Sequence, residues 1–474
     1  MPFNSIIFLI FGAIFFALWP FAKKANNRRW VYITVASLIF YGWWDWRFIF
    51  LLLGAGLIDY LAGRAMVAWP AHKRYFLFAS LAGNLGSLSV FKYAGFIADN
   101  VGLLLSSAGY PCDLTSRLPE FTLILPVGIS FFTFQSMSYT IDVYRGRMKP
   151  VTNLFHFFAF LSMFPQLVAG PIVRARDIIP QLEKNRETTE EERWEGLKLI
   201  VGGYFKKVVI ADNLAPFVNT AFTAVPSPDS SLYWWLAIGA FAFQIFFDFG
   251  GYSDIARGLA KWMGYDFLVN FNHPYTSTSM REFWARWHIS LSTWFRDYLY
   301  IPLGGSKRGE SWGHVNMWLT MVISGLWHGA AFHFLAWGAV HALFLSIERI
   351  TLWPERLKRL PCGSVLSLIF VLFQVLIAWV FFRAQDITQA FAIIGTMLAF
   401  NGRLDFPTTE AFKVGVLYLS LGMAMELYHF SKIDIRKWFS PVVYRAVEVA
   451  SVAILMACSV FFRGAGMQFI YFQF

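Results

Sequence analysis

The stretch from Asn316 to Ile347 carries no Asp, Glu, Lys or Arg, yet it holds three of the nine histidines, His328, His333 and His341. An ionisable side chain at bilayer depth costs about 2.5–3.5 kcal/mol or more, so such residues usually face a cavity and have a task there. Histidine is the least costly of them, because it can be buried neutral and still exchange a proton near pH 7. Trp287-His288 precedes this apolar run and Trp327-His328 lies inside it. The chemistry is expected at these two pairs.

Hydrophobic residues make up 57% of the 474, mean hydropathy is +0.50, and apolar runs near spanning length recur. This composition describes an all-α polytopic membrane protein, with about 20 residues needed for each crossing. The aromatic share of 19% suits lipid-facing and interfacial positions. A net charge of +11 would fit nucleic acid if it were clustered, but the Lys and Arg are scattered through short loops. Retention of positive loops in the cytoplasm is the simpler account, so no nucleic-acid partner is expected and the lipid bilayer is. Cys112, Cys362 and Cys458 are isolated, which gives no metal spacing and no disulfide framework.

Along the chain, Phe3 to Phe21 reads as an uncleaved first span, followed by the inside residues Lys23, Lys24, Arg28 and Arg29. Trp30 to Leu61 is too long for one helix and is interrupted by Asp45 and Arg47, which predicts a helical hairpin. Tyr75 to Leu105 reads as two short spans with Lys92 near their junction, and Leu123 to Val143 as another span. Leu154 to Val173 contains Pro165, Gly170 and Pro171, and such irregular backbone is tolerated only where protein or a cavity covers it. The charged run Arg174 to Gly196 must be solvated, with Thr188 or Thr189 able to cap a surface helix. Lys206 and Lys207 are expected at the cytoplasmic interface. Further helices are expected at Leu232–Phe249, Val365–Phe382, Ala390–Phe400, Val414–Met425 and Val447–Phe462, for about a dozen in all, some too short to cross.

His328 is the sharpest candidate. Gly325 and Gly329 flank Trp327-His328 in a G-x-x-x-G spacing that lets another backbone approach closely. An enclosed neutral imidazole there could act as general base on an acceptor hydroxyl or thiol; the alternative is a packing histidine bonded to a carbonyl. Were one helix to run through, His333 and His341 would point elsewhere, at about 140° and 220° from His328, and packing is preferred for both. Around His288, a single helix would place Trp284, Leu291, Ser292 and Phe295 on one face. Arg281, Arg286, Arg296, Lys307 and Arg308 cluster there, as a basic, aromatic-lined mouth for an anionic donor or as an interfacial helix meeting lipid phosphates. The mouth would include Trp284, Trp287 and Trp327. Asp248 and Asp254 could form a metal or proton site, but they are expected, with Ser324, in structural or supporting roles, the carboxylates capping a broken helix around Gly250-Gly251 or pairing with an arginine such as Arg257.

Five segments carry a resemblance. MFPQLVAGPIVRARD (Met163–Asp177), FKKVVIADNLA (Phe205–Ala215), FDFGGYSDIARGLA (Phe247–Ala260), FWARWHISLSTWFRDYLYIPLGGS (Phe283–Ser306) and NMWLTMVISGLWHGA (Asn316–Ala330) resemble the membrane-bound O-acyltransferase family. The similarity is strongest to its bacterial alginate and peptidoglycan O-acetylation branch, with teichoic acid D-alanyl transfer more distant. It runs in order from about Phe131 to His341.

The resemblance implies transmembrane and re-entrant helices around a central tunnel, in one integral membrane domain over 1–474. Within it, 1–120 would form N-terminal helices, 121–350 the catalytic core and 351–474 C-terminal helices. It places the family's near-invariant histidine on His328 and its second on His288. It further implies no bound cofactor, acetyl-CoA as donor, a periplasmic SGNH-type partner that acetylates the polysaccharide, and the bacterial inner membrane as location. Two other readings stay open, D-alanyl transfer to teichoic acid-type polymers and a transporter or channel with a histidine proton relay.

Overall fold

A computed structural model describes residues 1–110, 112–225, 227–403, 408–431, 433–467 and 469–470. Helices dominate, because a chain in lipid must satisfy its backbone groups within each segment. Among the described residues, seven are long and apolar enough to cross a membrane by length and composition. They are Arg47–Ala68, Pro70–Ser107, Ser231–Met263, Phe332–Thr351, Gly363–Arg383, Glu410–Phe430 and Pro441–Phe461, with the shorter apolar helices Ile6–Ala22 and Ile387–Leu398 beside them. The chain is a multi-pass membrane protein, and large apolar side chains such as Val442 and Phe461 on Pro441–Phe461 lie exposed as lipid-facing residues do.

The chain divides into two compact units, Met1–Gly196 with Ala256–Leu268, and Leu197–Ile255 with Val269–Phe474. In the first, the predicted hairpin is present as Asn26–Gly42 and Arg47–Ala68, with the Asp45–Arg47 ion pair at 2.6 Å in the break. The region with Lys92 differs from expectation. It is one rod over Pro70–Ser107 rather than two spans, and a π-helical turn, Ser89–Tyr93, absorbs Lys92 without breaking the helix. Buried Asp59 on Arg47–Ala68 accepts hydrogen bonds from Ser80, Ser136, Asn84 (2.8 Å) and Thr140 (3.2 Å). Those donors come from Lys73–Leu88 and Ile129–Tyr144, so this polar knot fastens three helices where water cannot compete. The span expected from Leu123 begins only at Ile129, after the left-handed Gly128. The segment around Pro165 is broken, as its prolines require, into Leu154–Leu161 and Phe164–Leu167. Thr189 caps its helix reciprocally with Glu192, through contacts of 3.0 and 3.2 Å.

In the second unit the apolar run from Asn316 is not one helix. It folds into the hairpin Glu310–His328 and Phe332–Thr351, turning at 329–331. Gly325 abuts the carbonyl of Phe334, and Gly338 abuts that of Met321, so a Cβ at either position would collide with backbone. Gly329 meets the ring of Phe334. The small residues therefore bring the two helices into backbone contact, and the hairpin turns His328 and His341 toward a common neighbour. That neighbour is Trp337, which with Trp234, Trp287 and Trp379 is among the largest fully buried side chains.

Candidate active site

The site is assembled from two broken helices. Met280–Arg286 is capped by Ser279, whose hydroxyl accepts from the N–H of Glu282 at 3.0 Å. It ends at Trp287, and Ile289–Phe295 begins anew after His288, whose backbone is left-handed (φ 42°). A continuous helix here was the sequence expectation, and Asn270 explains the difference. Its carbonyl accepts from the N–H of Ile289 at 2.9 Å, and its side-chain Oδ1 accepts from Ser290 N (3.2 Å) and Ser290 Oγ (2.9 Å). These donors would otherwise serve a through-running helix, so the chain kinks at His288. A left-handed non-glycine residue costs about 1–3 kcal/mol, and such strain collects at functional sites.

The same oxygen faces Nδ1 of His288 at 3.1 Å. Because a backbone N–H can only donate, the atom that receives Ser290 N is an oxygen, and Nδ1 must carry the proton it donates there. Nε2 is then the basic nitrogen. Complete burial lowers the His288 imidazole pKa to about 3, so it is neutral throughout the physiological range. Its ring meets Phe249 edge-on at 4.7 Å and Phe271 at 5.9 Å.

Trp327 joins the two histidines. Its ring centroid lies 6.2 Å from His288 and 5.0 Å from His328. His328, buried at the end of Glu310–His328, also meets Trp337 (5.0 Å) and Phe382 (5.3 Å) edge-on. Two buried imidazoles thus share one indole inside an aromatic shell. Ser324 is buried one turn before His328. His333 takes the packing role expected of it, with Nδ1 2.9 Å from the carbonyl of Phe381. Among the described residues, His341 makes no such bond.

The residues expected at the mouth divide. Trp287 is buried against Phe271 (5.0 Å) and Trp379 (4.9 Å), while Trp284 meets Trp337 (5.8 Å) and His341 (5.0 Å). The kink explains why Trp284 and His288 no longer share a helical face. Arg281 is exposed, whereas Arg286 is held by Glu282 (2.6 Å) and Thr276 (2.8 Å), and Arg296 by Asp297 (2.8 Å).

Asp248 and Asp254 each form an ion pair with a lysine. The helix Ser231–Met263 runs unbroken through Gly250-Gly251, so there is no helix end to cap. Gly251 instead lets the segment around Gly203 approach, since a Cβ would lie 2.6 Å from the carbonyl of Gly203. That contact brings lysines to the carboxylates: Lys206 to Asp254 at 2.6 Å, and Lys207 to Asp248 (2.9 Å) and Asp212 (2.8 Å). Lys207 is buried. Burial pulls its pKa down, but the two carboxylates reverse this and raise it. Burial lifts Asp212 to about 6 against the pull of Lys207. Lys207 also donates to the carbonyl of Met467 (3.1 Å), and Asp248 accepts from Ile470 N (2.8 Å). Phe469 packs on Phe249 at 5.7 Å, which places this segment behind the ring shell of His288. Asn270, Lys207 and Trp337 were not singled out from sequence as site residues. Only Lys207, a charge in an apolar run, gave a signal.

The kink makes a prediction. His288→Asn keeps a donor toward Asn270 and suits left-handed backbone, whereas Ala provides neither. Activity assays of both variants at matched abundance should rank Asn clearly above Ala. Equal activities would remove orientation by Asn270 as the role of that hydrogen bond.

Residues 147–385 match the family model for MBOAT, membrane-bound O-acyltransferase. A probable alginate O-acetylase AlgI of Pseudomonas putida is 40% identical over 413 residues, covering 85% of this chain and 81% of the relative. The peptidoglycan O-acetyltransferase of Helicobacter pylori is 34% identical, covering 85% and 80%. A teichoic acid D-alanyltransferase of Bacillus subtilis is 28% identical, covering 51% and 64%.

Proposed function

Since this chain belongs to the membrane-bound O-acyltransferase family, we propose that it moves an acetyl group from a cytoplasmic thioester of the acetyl-CoA type, across the inner membrane, for O-acetylation of an exported or cell-wall polysaccharide. The observation that carries this reading is the pair of buried histidines around Trp327. Higher identity and coverage with the two O-acetylation relatives favour acetyl over D-alanyl transfer.

In this reading His328 removes the proton from an acceptor hydroxyl as its oxygen attacks the thioester carbonyl carbon. The C–S bond breaks, and the imidazolium returns its proton to the leaving sulfur. His288, oriented by Asn270, presents Nε2 as the second polar contact in the aromatic shell. A buried base within the protein lets the acetyl group cross without its bulky anionic donor entering lipid. A periplasmic SGNH-type partner would carry the group onward to the glycan.

Arg281, Lys307 and Arg308 are exposed and would attract the donor's phosphates. Each basic residue near an anionic surface adds roughly 1 kcal/mol of attraction. Neutralising the three together should raise the donor KM several-fold at low salt, with kcat changed little. The same charge change at Arg286 and Arg296 should act through lost internal pairs instead. Steady-state kinetics across salt concentrations check this, and a salt-independent KM would remove the donor-entrance role. Deleting the gene in the source bacterium tests the function itself. Ester-linked acetate on the exported glycan should disappear and return with the wild-type gene; unchanged acetate would end the proposal.

A further inference from the structure

The helix Glu410–Phe430 carries a carboxylate that the transfer chemistry does not use. Its buried residues, Gly415, Leu419, Gly422 and Glu426, fall on one face. The two glycines let that face close on the bundle, since a Cβ at Gly415 would meet Phe217 and one at Gly422 would meet Phe243 and Phe247. Glu426 is thereby held inward, 5% exposed, on a segment long and apolar enough to cross a membrane. An ionisable group in such a segment usually has a task and a partner. The partner is His273, whose Nδ1 lies 2.7 Å from Glu426 Oε1. An ionised carboxylate only accepts, so Nδ1 is the donor. His429, one turn beyond Glu426, stacks on the His273 ring at 3.4 Å, so the ring is held by its face as well as its edge.

His273 stands at one end of a strap whose other end orients His288. Its backbone is left-handed (φ 47°), like that of His288. Such a conformation is strained for a residue with a side chain and persists only where surrounding contacts hold it. The carbonyl of His273 accepts from Thr276 N (3.1 Å) and Thr276 Oγ1 (2.7 Å), which closes the turn after it. Asn272 N donates to the carbonyl of Arg286 at 3.0 Å, where Met280–Arg286 ends. Phe271 packs on the rings of Trp287 and His288. Asn270 then takes the donors of His288, Ile289 and Ser290. The strap is therefore fastened to the broken helix along its length, and the Glu426–His273 bond is its tie to a separate helix.

We propose that Glu426 and His273 are positioning residues for His288: their hydrogen bond fixes the strap that presents Asn270, and so sets where His288 Nε2 points. The inference rests on the reading of His288 as the second polar contact for the transfer. Neither residue takes part in the proton transfer itself.

The test uses full-length protein in lipid nanodiscs, labelled with ¹⁵N-histidine for NMR and unlabelled for turnover of acetyl-CoA. In wild type the His288 resonances, identified by their absence from His288→Asn, should report one neutral ring with its proton on Nδ1. Glu426→Leu removes the acceptor and should give a mixture of both tautomers. It should also lower kcat about tenfold, with the KM for acetyl-CoA kept within about twofold. Glu426→Gln, whose amide oxygen still accepts from Nδ1, should restore the single tautomer and most of kcat. His273→Gly keeps the left-handed backbone but has no ring, and it should reproduce the tautomer mixture should Glu426→Leu fail to fold. Adding Asn270→Ala to Glu426→Leu should cost little beyond Asn270→Ala alone, because both act through one strap. Additive losses, or a single unchanged tautomer in folded Glu426→Leu or His273→Gly protein, would overturn the positioning role. A wild type that turns over no acetyl thioester would end the donor reading instead, and the tautomer comparison would still decide the positioning.

Discussion

His328→Ala should abolish acyl transfer while leaving membrane insertion and abundance close to wild type. The imidazole sits among Trp327, Trp337 and Phe382, rings that touch one another or their own neighbours independently of it. Its removal takes away one small ring from a shell whose larger members remain. General base catalysis, in contrast, is worth about 10²–10⁴-fold in rate. Glycan acetate in cells and turnover by purified enzyme give the measurement. Near-normal acetylation by a well-folded His328→Ala protein would sink the assignment of the base.

The second large effect concerns stability. Lys207→Met should leave little folded protein, because it strands Asp248 and Asp212, each 2% exposed or less, without their shared cation. Breaking a buried ion pair by removing one partner costs about 3–5 kcal/mol, against a total stability of about 5–15 kcal/mol. The loss should be compounded by release of Met467 from Lys207. Adding Asp248→Asn to Lys207→Met removes one stranded charge and should restore part of the folded yield. Size-exclusion profiles and thermal unfolding of the two variants check this. A single variant with wild-type yield and melting temperature would show that the lysine is dispensable to the fold.

The sequence made the helices and the two histidines legible because both leave strong local marks. Long apolar runs have few alternatives to a spanning helix, and a histidine in a run without other charges stands out. What stayed hidden depends on contacts remote in the chain. The kink at His288 is imposed by Asn270, a loop residue with no distinguishing pattern around it. Lys207 looked interfacial because a lysine in an apolar helix usually is, and only the Gly203–Gly251 approach reveals its buried carboxylates. Lys92 suggested a break between spans because a charge often marks one, but a π-helical turn keeps the rod intact. The turn at 329–331 decides that His328 and His341 share Trp337, although a single 3.6-residue period would separate them.

Transport of labelled acetyl groups in sided membrane vesicles tests the central claim most directly. Purified protein is reconstituted with the proposed periplasmic partner, oriented populations are separated, and [¹⁴C]acetyl-CoA is supplied on one face only. Label should reach the partner or glycan on the opposite face when the donor meets the Lys307–Arg308 side, and His328→Ala should stop it. Delivery that persists in His328→Ala, or that requires donor on the other face, would contradict the account.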